Sequence, residues 1–215
     1  MSGLVQNSPE TICSAAMVRI GEKTVTDLDA NNDRSRTAKA LYFPAKQFLM
    51  SVWPWQWCLF EGRALTRLTT DPTTKWTYKY KLPENRLNDD MRAVYTEAAV
   101  GARPIITGFA IQDGHLYTDH TEIYCDYAYN AEESGWPPYF VELMTTMLAA
   151  QFANPTTDQD STAEQFYNLI FDSNGEPTAI MRMALQADAR PGEVRVVQDS
   201  PFIDVRFAGS GLWHG

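Results

Sequence analysis

Apolar positions in the first fifty residues recur every three to four places, the spacing that lines one face of an α-helix. Ile12, Ala16, Met17 and Ile20 fall on one such face. Ser8 can cap this helix, Pro9 suits its first position, Glu10 complements its dipole and Gly21 ends it. A cluster of turn formers follows, and a second helix is expected from near Asp33. Its apolar face reads Ala38, Leu41, Tyr42, Ala45, Phe48, Leu49 and Val52. Pro44 lies inside that pattern and predicts a kink or a join.

The period then changes. In SVWPWQWCLF (Ser51 to Phe60) Trp53, Trp55 and Trp57 alternate with other residues, which predicts a strand from Trp55 onward. Ala64 to Leu68 and TYKYKLP (Thr77 to Pro83) read as further strands. Asp113-Gly114 is a two-residue hairpin signal, and Ile123, Cys125, Tyr127 and Tyr129 alternate again. Helical spacing returns in WPPYFVELMTTMLAAQFA, with Phe140, Leu143, Met144, Met147, Leu148 and Phe152 as its stripe and Asn154-Pro155 as its stop. Ser161 to Phe171 and Pro177 to Arg190 read as helices separated by Ser173-Asn174-Gly175. The order predicts an α+β chain. Residues 1–54 and 136–190 would form an antiparallel helix bundle, residues 55–135 an inserted β-rich subdomain, sandwich- or barrel-like, and residues 191–215 an extended C-terminal tail.

Two groups of residues stand out against this frame. Trp53, Trp55 and Trp57 fall where a helix hands over to a sheet, and each indole buries a large area. They are expected to anchor the subdomain junction rather than to form a base-stacking platform or a ligand pocket. The tail carries Phe202, Ile203, Val205, Phe207 and Trp213 behind the terminator Arg190-Pro191-Gly192. It has no periodic helix pattern and is too apolar for a simple solvated tail. These five residues are expected to dock on a neighbouring subunit, with packing back on their own domain as the alternative.

Composition narrows the function. With 215 residues, 44% hydrophobic and 21% charged, the chain fits one large or two small globular domains. Its net charge is −9 and it has no basic cluster, which argues against binding nucleic acid by phosphate neutralisation. Cys13, Cys58 and Cys125 match neither a disulfide framework nor a metal spacing, and read as buried reduced thiols of a cytoplasmic product. MSGLVQNSPE shows no secretory pattern and no apolar run approaches a membrane span, so a soluble chain is expected. Asp113, His115, Asp119, His120 and Glu122 crowd one hairpin, but their spacing matches no metal motif. Asp71, Asp89 and Asp90 read as loop residues. No nucleophile elbow, P-loop or dinucleotide fingerprint occurs. The expectation is a non-enzyme with no metal and no cofactor.

Five segments in order resemble the head-to-tail adaptor (connector) family of short-tailed bacteriophages, tail tubular protein A. AAMVRIGEKTVTDLDANNDRSRTAKALY (Ala15 to Tyr42) is similar to that family's opening pair of helices. WPWQWCLFEGRALTRL resembles its tryptophan step into a strand. TYKYKLPENRL is similar to its tyrosine-rich strand and turn, with Leu82, Pro83, Asn85, Arg86 and Leu87 in register and Asn85 where an aspartate is usual. WPPYFVELMTTMLAAQFA and a last helix near Ala184 to Asp188 complete the set, covering roughly residues 12 to 190. The resemblance implies a structural virion protein of the tail or neck, made in the host cytoplasm. Twelve copies would form a ring that joins the portal protein to the tail nozzle, a tail tubular protein B-like partner. DNA would pass through the lumen without specific binding, and the tail anchors could also meet the portal. An acidic channel wall suits that role, because it repels DNA rather than gripping it. The alternative is a β-rich carbohydrate- or receptor-binding module of a phage tail, which would leave several aromatics exposed in a groove.

Overall fold

Ser8 opens the first helix with a reciprocal capping box. Its hydroxyl accepts the Thr11 amide at 3.2 Å, and the Thr11 hydroxyl accepts the Ser8 amide at 2.8 Å. Helix α1 spans Pro9–Arg19 and α2 spans Asp33–Val52, capped by Asn32. Strands follow as β1 (Leu59–Ala64), β2 (Thr66–Arg67), β3 (Tyr78–Lys81), β4 (Arg86–Tyr95), β5 (Phe109–Gln112), β6 (His115–Thr118) and β7 (Tyr124–Tyr129). A 3₁₀ turn at Glu133–Gly135 leads into α3 (Pro138–Thr157), α4 (Asp160–Asn168) and α5 (Ala179–Asp188). The computed structural model describes residues 7–189 apart from 71, 73, 100, 158 and 159. Phe202, Ile203, Val205, Phe207 and Trp213, with the rest of the expected tail, lie outside the described residues.

The chain is mixed α and β, and every strand pair among the described residues is antiparallel. One sheet has the order β1-β7-β4 and the other β2-β3-β6-β5. They share a small core of Tyr80, Leu82, Val94, Leu116 and Ile123. The larger core belongs to the helices. Helix α3 lies at its centre, in contact with α1, α2, α4 and α5, and every residue from Leu143 to Ala150 is buried. A helix apolar on all sides needs neighbours on all sides. Its two polar residues there, Thr145 and Thr146, return their hydroxyls to the carbonyls of Val141 and Glu142 at 2.7 and 2.9 Å.

Several expectations need correcting. Helix α2 runs unbroken through Pro44, so no join falls there. The proline frees the carbonyl of Ala40, and both residues face solvent, where water can satisfy it. Helix α3 likewise passes Asn154-Pro155 and ends at Thr157, because a proline this close to the end removes one bond of a ladder already anchored in the core. Helix α4 stops at Asn168, short of Phe171. No strand begins at Trp55, since β1 starts at Leu59 after a turn closed by the Leu59 amide on the Gln56 carbonyl at 3.2 Å. Asp89 lies within β4 rather than a loop; that strand is irregular, with register shifts between Arg86 and Ala93. Asp71 is outside the described residues.

The Asp113-Gly114 hairpin forms as a two-residue turn between β5 and β6, with Gln112 opposite His115. Both turn residues have positive φ, 50° and 70°, as a type I′ turn requires. A β-carbon at Gly114 would also sit 3.2 Å from an Arg86 guanidinium nitrogen. Gly114→Ala should therefore cost about 1–2 kcal/mol, measured as a shift of the urea midpoint at constant slope.

Candidate interaction surface

The three clustered tryptophans occupy different environments. Trp55 is 0% exposed, its ring edge-on to Phe140 at 5.2 Å and its indole N–H donating to the Leu49 carbonyl at 2.7 Å. This bond folds Trp55 back over the last turn of α2, which is why the local alternation is not that of a strand. Trp57 is half-buried and packs on Phe140 and Trp136 at 4.8 and 6.4 Å. Its N–H finds no acceptor among the described residues. Trp53, the C-cap of α2, is 43% exposed. The structure thus places Trp55 and Trp57 in the helical core and Trp53 on the surface.

Polar groups tie the same region together. Lys46 and Glu133, whose side chains are 11% and 14% exposed, pair at 2.8 Å, and the Tyr42 hydroxyl donates to the same carboxylate oxygen at 2.9 Å. Burial works against ionisation of Glu133. Hydrogen bonds from Lys46, the backbone and Tyr42 outweigh it, and hold the carboxyl below its usual range. Burial first, and then the Glu133 charge, push the Tyr42 phenol far up. Nearby, Asp188 at the end of α5 accepts the Gln56 amide and the Tyr139 hydroxyl, each at 2.9 Å.

The hairpin residues that tempted a metal reading have local structural work. His115 Nδ1 lies 2.6 Å from the Asp113 carbonyl, and Asp119 accepts both the amide and the hydroxyl of Thr77 at 2.9 and 2.7 Å. The His120 carbonyl accepts the Tyr80 hydroxyl at 2.8 Å, and Glu122 accepts from the Tyr124 hydroxyl at 3.3 Å. Among the described residues no group of three His, Cys, Asp or Glu side chains converges as a metal site. The three cysteines are buried and unpaired, and burial pushes their thiols up, to about 12, 11 and 12 for Cys13, Cys58 and Cys125. They are poor nucleophiles at neutral pH.

What the surface does offer is a set of exposed apolar side chains. Phe48 is 47% exposed and its ring lies 6.2 Å from that of Phe171, which is buried; Tyr167, 45% exposed, lies 5.9 Å from the same ring. Val52 sits one turn beyond Phe48, Trp53 follows it, and Leu169 lies between Tyr167 and Phe171 in the chain. All three are exposed. Phe48 and Val52 belong to the apolar face expected of α2 from its sequence, yet they lie on its exposed edge. The buried apolar face is formed by Ala38, Tyr42, Ala45, Leu49 and Met50, and the apolar arc extends past it. That excess width is the signal that distinguishes the exposed apolar edge from the core face.

A second feature is a cleft of about 420 Å³ between the sheets. Phe60 stacks on Tyr127 there at 5.7 Å, with the Arg63 guanidinium 5.5 Å from the Phe60 ring. Tyr127 donates to Asn85 at 3.1 Å. Comparison with known families and with curated proteins finds nothing that matches this chain. No helix among the described residues is long and apolar enough to cross a membrane.

Two outcomes follow from the buried contacts. Trp55→Ala should cost about 3–5 kcal/mol, read as a lower melting temperature. Glu133 ionises more readily in the folded chain than unfolded, so its stabilisation is present above the ordinary carboxyl range and is lost as pH falls through the depressed value. Glu133→Gln should therefore lose about 3 kcal/mol at pH 7, and its stability should fall less steeply than the parent's when denaturation is repeated from pH 6 down to pH 3.

Proposed function

We propose that the chain is a structural subunit of a phage head-to-tail adaptor ring, about twelve copies joining the portal to the tail nozzle. In this reading α1–α5 form an antiparallel helix bundle from residues 1–54 and 136–190. The strands form a sandwich- or barrel-like block inserted over 55–135. It is a virion neck component, not an enzyme, and uses no cofactor. The observation that carries the reading is the set of exposed apolar side chains Phe48, Val52, Trp53, Tyr167 and Leu169, with Phe48 and Tyr167 each beside the buried ring of Phe171. Several large apolar side chains left exposed are what an assembling subunit presents. Ring closure needs a heterologous contact, in which this face meets a different surface on the next copy.

Two further features support it. The net charge of −9 suits the wall of a DNA channel. The segment TYKYKLPENRL, which carries much of the family resemblance, has a physical role at the turn linking the two sheets. Leu82 is buried, its amide bonds the Gly114 carbonyl at 3.3 Å, and Arg86 donates to the Pro83 carbonyl at 2.9 Å. The cleft beside Phe60 and Tyr127 favours one second reading, a carbohydrate- or receptor-binding module of a phage tail.

Mass photometry of the chain mixed with purified portal rings separates these readings. The adaptor reading expects the portal peak to gain multiple copies of the chain, and Phe48→Asp to abolish the gain while the variant still melts cooperatively. An unchanged portal peak, together with glycan-array binding that Phe60→Ala removes, would overturn it in favour of the second reading.

A further inference from the structure

The cleft between the two sheets departs in charge from the rest of the chain. Its lining holds two cations, Arg63 and Lys81, and one carboxylate, Glu84, so it is net positive in a chain of net charge −9. Lys81 takes up Glu84 as an ion pair. Arg63 has no carboxylate partner among the described residues, and its guanidinium lies 5.5 Å from the Phe60 ring. Phe60 is 39% exposed and lies nearly parallel to Tyr127, at an interplanar angle of 19°. Asn85 accepts the Tyr127 hydroxyl through its amide oxygen at 3.1 Å, and its amide nitrogen has no partner among the described residues. The volume of about 420 Å³ falls within the range of small-ligand clefts, about 300–1,000 Å³.

A guanidinium without a counter-ion takes a carboxylate through two parallel hydrogen bonds. The amide N–H groups of Asn85 match a hydroxyl, and the partly open ring of Phe60 matches an apolar C–H face. The acidic field of the whole chain turns away polyanions such as nucleic acid, so the matching ligand carries an isolated carboxylate among neutral hydroxyls. On the second reading, in which the cleft binds carbohydrate, we propose that its ligand is an acidic saccharide: one uronic or sialic acid unit, its carboxylate on Arg63 and its ring against Phe60. Arg63 and Phe60 lie on β1, not on the helices that carry Phe48 and Tyr167, so sugar binding and portal assembly are separate readouts.

An NMR titration of the full chain tests this with sialyllactose and methyl glucuronide, each beside its neutral counterpart, lactose or methyl glucoside, and with acetate as a simple anion. At least one acidic sugar should shift the β1 amides and bind tenfold or more tighter than its neutral counterpart and than acetate. Arg63→Gln should bring it down to the neutral level, and Phe60→Ala should weaken it several-fold, with both variants still melting cooperatively. Arg36→Gln, exposed on α2, should change nothing. Equal binding of acidic and neutral sugars, indifferent to Arg63→Gln, would overturn the acidic assignment and leave a carbohydrate site. Acetate binding as tightly as the sugars would overturn it too, leaving a simple anion site. No shift with any sugar would overturn both the assignment and the carbohydrate reading.

Discussion

The structure depends on one crossing point. The chain leaves the helices after α2 and returns to them before α3 at the same place, and the two passages are bonded side by side. Tyr129 donates its amide to the Cys58 carbonyl at 2.9 Å, and Leu59 stands opposite Ala128 as the first pair of β1 and β7. All the strands are thus held as a loop whose ends are already closed, which limits the entropy that ordering them costs. Around the crossing, Trp55, Trp57, Trp136 and Phe140 interlock with ring centroids 4.8 to 6.4 Å apart. The Trp55 and Trp136 N–H groups are satisfied by the Leu49 and Ala131 carbonyls.

Each larger feature follows from that constraint. Phe140 belongs to the first turn of α3, so the aromatic cluster fixes where the central helix starts, and the other four helices pack around it. Lys46 and Glu133 then lock α2 to the returning chain, and Asp188 locks α5 to the departing one. With α2 held on both sides, its remaining edge, Phe48 and Val52, has no place in the core. The exposed side chains result from a helix carrying more apolar surface than the elements packed against it can bury. Stability and surface chemistry are therefore set by the same packing.

Local signals in the sequence translated well where a single residue type decides the backbone. Ser8-Pro9, Asn32-Asp33 and Asp113-Gly114 mark their boundaries because capping oxygens and positive φ are local requirements. Proline marks no join at 44 and no stop at 155, because tolerance of a lost donor depends on whether the freed carbonyl meets solvent and how firmly the flanking turns are packed. The tryptophan alternation misled because Trp55 turns back to an acceptor six residues earlier. Lys46 and Glu133 are 87 positions apart, and nothing in either neighbourhood announces their pairing. Strand β4 was hidden behind Asn88-Asp89-Asp90, a turn-like trio carried by an irregular strand. The candidate surface was half legible: Phe48, Val52 and Trp53 stood out as apolar or aromatic, Tyr167 did not, and only the packing revealed which side chains the core leaves out.

Native-state hydrogen exchange of the Tyr129 amide, compared with α3 amides such as Met147 and Leu148, tests the crossing most directly. If the crossing holds the fold together, these amides exchange only through the same global opening, with matching free energies and matching denaturant dependence. A Tyr129 amide that exchanges through a low-energy local opening while α3 stays protected would contradict the account.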